Sequence, residues 1–257
     1  MIDNIDFLLT LGGDGTVLWT SGMFRDAPAP PMISFALGSL GFMTPFTFDH
    51  FEPVLERALT GEIPILVRHR LHAEVVRAPG NRGAGGDAEW HREVLNEVVL
   101  DRGPHPVLTN LVVKADGYFV TRAQGDGLII ATPSGSTAYS LAAGGSMVHP
   151  TVPCMLMTPV CPHSLSFRPV LFPEHISLTV EVPQGARSEV YCSFDGKDRQ
   201  PLYPGDCVRV RLSRYPVPVV CQIDATHDWF LTVRDTLHWN RRKEQGARDA
   251  PGAAAGS

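Results

Sequence analysis

The 257 residues carry 22 Lys and Arg against 27 Asp and Glu, a formal net charge of -5, with 44% of the chain hydrophobic and 19% charged. That balance is ordinary for a folded soluble protein and supplies no overall basic field, so nucleic acid is excluded as the expected partner. An anionic substrate then has to be held by local devices: backbone amides, a metal, or a few placed cations. Five cysteines, an odd number without a CxxC spacing, argue against a disulfide framework or a zinc site and for a reducing compartment. Cys161 and His163, beside two prolines, read as a structural loop. No apolar run approaches the roughly 18 residues that span a bilayer, and Ile2 to Asp6 offers no basic n-region, so the chain is expected to be soluble and cytoplasmic.

Phe7 to Leu11 is a short apolar run with the character of a buried parallel strand, broken sharply at Gly12 to Gly15. A helix is predicted over Thr16 to Phe24, a second strand over Met32 to Leu37, and a second helix over Phe51 to Leu59, stopping at Gly61. This βαβα order marks an α/β unit. From Ile63 onward the pattern changes to short β-branched runs: 70–77, 94–100, 108–115, 118–122, 128–131, 155–158, 176–182, 189–194 and 207–213. Asp116-Gly117 is a hairpin signal between two of them. Such spacing predicts an antiparallel sandwich. Ala78 to Glu89 reads as a Gly-rich loop, Asp228 to Asn240 as a helix, and Gln245 to Ser257 as a disordered tail.

The expected fold is therefore α/β plus all-β. A partial, Rossmann-like α/β domain (1–62) precedes a β-rich sandwich-like domain (63–225), a C-terminal helix (226–243) returns to the first domain, and a tail (244–257) follows. Two strands and two helices bury little core alone. The first unit is accordingly expected to begin inside a larger domain, or to have its sheet completed by another chain.

Four constellations carry chemistry. In Phe7 to Thr16, glycines 12, 13 and 15 let backbone amides at a helix N-terminus approach an anion. Asp14 among them repels phosphate unless it binds Mg²⁺ or acts as general base on a hydroxyl, both of which belong to phosphoryl transfer. A tight turn with a capping Asp is the plainer alternative. Gly125 to Tyr139 (GDGLIIATPSGSTAY) follows a strand with Ser134, Ser136 and Thr137 hydroxyls, the aromatic face of Tyr139 and a second carboxylate, Asp126. Asn96-Glu97 interrupts an apolar strand run, so one of the two should face a ligand, and Asn can pair with the edge of adenine. Ser193 to Lys197 has the composition of a hairpin turn. No residue stands out as a metal ligand.

Together these residues resemble the NAD kinase family over about Asp6 to Lys243. The motifs are GGDGT at 12–16, LGSLGF at 37–42, NE at 96–97, GDG at 125–127, TPSGSTAY at 132–139 and FDG at 194–196. GGDGT is shared with lipid kinases and phosphofructokinases; followed by NE and TPSGSTAY it is specific. PVCPHSLSFRP at 159–169 looks like the animal cytosolic branch. The resemblance implies transfer of a phosphoryl group from ATP, with Mg²⁺ or another divalent metal, to the 2′-hydroxyl of the adenosine ribose of NAD. It implies Asp14 as catalytic base, in a phosphate-binding turn with Gly13, Gly15 and Thr16. It implies Phe42, Asn96, Glu97, Asp126, Ser134, Thr137, Ala138, Tyr139 and, in the FDG motif, Asp195 as dinucleotide contacts. A homo-oligomer, commonly a tetramer, is implied as well. Family members carry a further strand and helix ahead of GGDG, so an N-terminally shortened chain is expected. A diacylglycerol- or sphingosine-type lipid kinase, or a catalytically impaired NAD-binding homologue, are the alternatives.

Overall fold

The computed structural model describes residues 4–81, 89–186 and 189–240. The predicted tail and most of the Gly-rich loop lie outside the described residues.

The α/β layer starts with β1 (Leu8–Leu11), which runs through the glycine turn into α1 (Asp14–Ser21) and returns in β2 (Met32–Ala36), parallel to β1 and buried at every position. β3 (Phe46–Thr47) pairs with the end of β2, α2 (Phe51–Thr60) stops at Gly61 in a left-handed cap at φ 76°, and β4 (Ile65–Arg68) follows. A glycine suits that cap because it carries no Cβ to clash.

The remainder builds two antiparallel six-stranded sheets. One contains β5 (Leu71–Val76), β6 (Glu89–Val94), β8 (Thr109–Ala115), β9 (Tyr118–Gly125), β13 (Leu178–Glu181) and β16 (Cys207–Leu212), in the order β6-β5-β16-β13-β8-β9. The other contains β7 (Glu97–Asp101), β10 (Gly127–Ala131), β11 (Cys154–Val160), β12 (Val170–Pro173), β14 (Val190–Phe194) and β15 (Lys197–Leu202), in the order β12-β11-β10-β7-β14-β15. Alternation does the folding. Leu71, Ala73 and Val75 of β5, Leu111 and Val113 of β8, and Val98 and Leu100 of β7 all point into one shared core between the sheets. Asp116 and Gly117, both at positive φ, close the predicted β8–β9 hairpin, and Asp195 and Gly196 close β14–β15 the same way.

The chain then returns. β17 (Val217–Val220) inserts between β2 and β4, giving a first sheet of order β1-β2-β17-β4 with β3 at the side. Residues 65–68 and 217–220, which the sequence division assigned to the β-rich unit, thus extend that sheet on the β2 side, while β1 is its outermost described strand, with Leu9 and Leu11 about half exposed. Apolar residues then cover both faces, Val17, Met32, Met43 and Val219 on the α1 side, Ile33, Phe35, Val54 and Val220 on the α2 side. α4 (Ala225–Thr236) follows, starting earlier than its apolar spacing suggests because Asp224 caps it, accepting the Thr226 and His227 amides at 2.8 Å each. α4 lies over the loop after β2: its Trp229 lines a small cavity with Phe42, Pro45, Leu66 and Val219, and Gln222 donates to the Pro45 carbonyl. Among the described residues no helix is long and apolar enough to cross a membrane.

The single strand predicted over 94–100 is two strands. β6 ends at Val94, β7 begins at Glu97, and Leu95-Asn96 carries the chain from one sheet of the sandwich to the other. The predicted loop end Glu89 is already the first residue of β6. The break occurs because the Leu95, Asn96 and Glu97 amides are taken by the Asp195 side chain, while Leu95 packs with Val17 under α1. α1 likewise starts at Asp14, two residues before the predicted Thr16, and ends at Ser21.

Candidate functional site

Gly12, at φ 149°, makes the turn from β1 into α1, and a Cβ there would sit 2.3 Å from the Thr16 hydroxyl, so Thr16 fills the inside of the turn. Asp14 opens the helix. Its Oδ2 accepts the Phe42 amide at 3.0 Å and its Oδ1 the Met43 amide at 2.9 Å. The carboxylate therefore turns toward the loop after β2, and among the described residues no side chain caps the helix-end amides. Gly41 is bare for the same reason: a Cβ there would meet Asp14 Oδ1 at 2.3 Å. Gly13 and Gly15 differ. A Cβ on either meets nothing within 4 Å, and both are exposed, so contacts inside the chain do not call for glycine there. A helical Gly costs about 1 kcal/mol relative to Ala, and unpaired amides at such a bare helix opening suit an approaching anion.

Asn96, Glu97 and Asp195 form the second part. Asp195 accepts the Leu95 amide through Oδ2 at 2.9 Å and the Asn96 and Glu97 amides through Oδ1 at 2.7 and 3.2 Å. It is thus both the hairpin residue that its composition suggested and the brace that presents Asn96 and Glu97. Burial pushes its carboxyl up to about 6, opposed by those three amides. Both Asn96 and Glu97 are buried, and Asn96 Oδ1 and Glu97 Oε2 have no hydrogen-bond partner. Buried polar atoms are almost always paired, so two adjacent orphans mark a place where a ligand completes the bonding.

Burial pushes the Glu97 carboxyl from 4.5 up to about 7, and the charge of Asp195 adds to the rise. The folded chain therefore binds this proton more tightly than the unfolded chain. The stability it contributes is complete below about pH 4.5 and is lost as pH rises through 7, amounting to about 3 kcal/mol for a shift of this size. Urea unfolding of the parent should show the two raised carboxyls lowering stability between these limits, and Glu97→Gln should remove the part of that slope that extends toward pH 7, leaving the part below about pH 6 that belongs to Asp195. An unchanged slope in the variant would assign the titration to another group.

The loop 132–139 closes over this pair. Thr132 donates its hydroxyl to the Leu95 carbonyl at 2.6 Å and its amide to the Asn96 carbonyl at 2.9 Å. Gly135 packs so tightly on Asn96 that a Cβ would lie 2.2 Å from the Asn96 carbonyl oxygen. Ser134 is buried, Thr137 donates back to the Ser134 carbonyl at 3.1 Å, and Ala138 precedes a single helical turn, α3 (Tyr139–Ala142). Arg68, which the sequence did not single out, joins the parts: it donates to the Ser134 hydroxyl at 3.0 Å and to the Phe42 carbonyl at 3.1 Å. Burial lowers the Arg68 pKa while the nearby Asp14 carboxylate opposes this. A continuous set of bonds thus runs from Asp14 through Phe42 and Arg68 to the 132–137 loop, and from Thr132 to Asn96 and Asp195. The Arg68 signal was present in the alternation of β4, where Leu66 and Arg68 share the buried phase.

Asp126 and Tyr139 stand one step along the same sheet, in a cleft of about 200 Å³ shared with Val99, Asp101, Arg102 and Val160. Arg102 holds Asp126 through its Nε at 2.8 Å. Tyr139 is half-exposed, and burial followed by the Asp101 and Asp126 carboxylates raises its phenol pKa, so it stays a hydrogen-bond donor at neutral pH. Phe42 contributes mainly through its backbone, while its side chain lines the cavity under α4. Cys161 is exposed, and Arg168 bonds only to carbonyls of its own loop, Leu165 and Phe167.

A helix-opening carboxylate linked through Phe42, Arg68 and the 132–137 loop to a braced Asn-Glu pair suits a nucleotide-handling kinase. The ATP-NAD kinase N-terminal domain matches residues 1–63 and the ATP-NAD kinase C-terminal domain residues 95–221. The chain belongs to the NAD kinase family. It is 51% identical over 248 residues to "Probable NAD kinase 1" of Oryza sativa subsp. japonica, covering 95% of this chain and 46% of the rice protein. It is 45% identical over 249 residues to "NAD(+) kinase" of Saccharomyces cerevisiae, covering 93% of this chain and 46% of the yeast one. The chain thus spans about half the length of these relatives. The crystal structure of yeast NADH kinase complexed with NADH superimposes with a TM-score of 0.86 at 37% identity, covering 95% of this chain and 69% of that one. An NAD kinase from Archaeoglobus fulgidus in complex with ATP shares the fold, with a TM-score of 0.74 at 24% identity over 90% of this chain and 84% of that one.

Proposed function

We propose that this chain transfers the γ-phosphoryl group of ATP to the 2′-hydroxyl of the adenosine ribose of NAD, giving NADP. The observation that carries the reading is the pair of buried, unpartnered atoms Asn96 Oδ1 and Glu97 Oε2, tied by hydrogen bonds to the element that carries Asp14. Asn96 would read the adenine edge. Glu97 would accept a ribose hydroxyl, and Asp126 and Tyr139 would hold the nicotinamide half, with Ser134, Thr137 and Ala138 forming the wall between. Asp14 would take the proton of the 2′-hydroxyl as the phosphoryl group arrives in line, and the open amides around Gly13, Gly15 and Thr16 would cradle phosphate oxygens. The yeast relative complexed with NADH supports a dinucleotide in this fold.

Asp14 offers oxygen donors only, which suits Mg²⁺ arriving with the phosphates of ATP. When bound, that ion would neutralise charge on the phosphates. The reading includes a homo-oligomer, a tetramer by resemblance, and a cytoplasmic setting, with which five unpaired cysteines agree. Membership of the family does not favour the lipid kinase alternative. The deciding experiment offers the purified chain Mg-ATP with NAD, NADH or a sphingoid base in parallel. Formation of NADP or NADPH alone is expected. A phosphorylated sphingoid base would overturn the reading, and dinucleotide binding without turnover would leave the chain an NAD-binding homologue.

A further inference from the structure

Among the described residues, one group of metal-type ligands lies apart from this site: a carboxylate oxygen of Asp26, a ring nitrogen of His72 and a carboxylate oxygen of Glu93 all fall within 4.8 Å of one another. The sheet register builds it. His72 on β5 faces Glu93 on β6 as a direct cross-strand partner, and His91, two residues before Glu93, emerges on the same face of β6. His72 Nδ1 lies 2.7 Å from Glu93 Oε1 and His91 Nε2 lies 2.8 Å from Asp26 Oδ2, with the two imidazoles stacked at 5.4 Å between ring centres. Asp26 arrives from the connector that follows α1, at a positive φ of 49°.

The second observation is Glu93 itself. It is 5% exposed, and its Oε2 has no partner, so one buried carboxylate oxygen of the group is left unsatisfied. Arg70 is close enough to feel both Glu93 and Asp26, but its guanidinium donors go to the Ser21, Phe24, Ala27 and Tyr215 carbonyls. Two carboxylates, Asp26 and Glu93, stand against the one guanidinium of Arg70. Glu93 also borders an open cleft of about 520 Å³, which gives an ion a way in.

We infer that Asp26, His72 and Glu93 form a binding site for a divalent transition metal of the zinc type, which clips the connector after α1 to β5 and the edge strand β6 of the sandwich, with His91 orienting the Asp26 carboxylate through its hydrogen bond. One imidazole nitrogen and two carboxylate oxygens, with the fourth position left to water, suit Zn²⁺, and the nitrogen selects against Mg²⁺, which prefers oxygen ligands only. The ion would take the place now bridged by the close His72–Glu93 contact and would satisfy Glu93 Oε2. No cysteine takes part, so cysteine spacing carried no sign of the site. By holding the segment that leaves α1, the ion would steady the helix that Asp14 opens, without touching substrate.

The test uses the full chain, stripped with chelator and titrated with Zn²⁺ alone, with Co²⁺ as a spectroscopic substitute. One ion per chain is expected, retained in excess Mg²⁺ and accompanied by a rise in Tm. Asp26→Asn, at a half-exposed position that should leave the fold intact, and His72→Gln should each weaken or abolish binding. Cys161→Ser, which removes the exposed thiol, should leave binding unchanged. No stoichiometric binding, binding that survives Asp26→Asn and His72→Gln, binding lost in Cys161→Ser, or a sulfur-to-cobalt charge-transfer band would each overturn the inference.

Discussion

Asp14→Asn should lower the turnover of the proposed phosphoryl transfer about 10²- to 10⁴-fold, the usual contribution of a positioned general base, while KM for NAD and ATP changes little. The geometry makes this an informative substitution. Asn keeps the shape of Asp14 and one acceptor oxygen, so one of the Phe42 and Met43 amides keeps its partner. The other amide then faces an NH₂ group, an unsatisfied contact that costs about 1–3 kcal/mol. The variant should therefore fold with a modestly lower Tm and fail chiefly in the chemical step. Steady-state kinetics and a thermal melt separate the outcomes. Near-full activity would remove Asp14 from the chemistry. A KM that rises while kcat holds would make Asp14 a device for shaping the loop at 41–43 instead of a base.

Much of this site was legible in the sequence because its residues break local rules. Asp14 is a charge within a glycine turn and Asn96-Glu97 is a polar pair inside an apolar run. Thr132 to Tyr139 has more small hydroxylated residues than a core needs. The outline of the fold followed from periodicity, since β2, β5 and β8 alternate or bury as their residues demand. What escaped is long-range. Strands of four residues or fewer, such as β4 and β17, carry too little pattern to announce that they insert in the first sheet. The bend at Leu95-Asn96 depends on a carboxylate a hundred residues away in sequence, Asp195, which as a hairpin residue gave no hint of its three amide partners. The proposed metal cluster joins positions 72 and 93 through strand register and position 26 from the connector after α1, and so has no linear signature. The segment 159–169, whose wording resembles animal relatives, runs from the end of β11 into a loop in which Leu165 is 90% exposed, and the relatives compared above are plant, yeast and archaeal.

Replacing Arg68 should produce the other large effect, on stability and substrate binding together. Its guanidinium is buried between the Phe42 carbonyl, whose residue bonds Asp14, and the Ser134 hydroxyl, on the loop whose Thr132 amide bonds the Asn96 carbonyl. Arg68→Met preserves the aliphatic stem but leaves both acceptors without a donor. Two charge-assisted hydrogen bonds at roughly 1.5–3 kcal/mol each are lost. Release of a buried cation whose Nε has no partner offsets part of that loss. A net loss of about 2 kcal/mol lowers Tm by about 4–8 °C in a chain of this size, and KM for NAD should rise because the loop at 132–139 is no longer fixed relative to Asp14. The decisive measurement is a double-mutant cycle with Ser134→Ala. If Arg68 couples the two halves of the site through that hydroxyl, Ser134→Ala costs clearly less in the Arg68→Met background than in the parent, in both Tm and KM. Strict additivity would show that Arg68 is held by its burial alone and that the two halves are positioned by the packing around Leu95 instead.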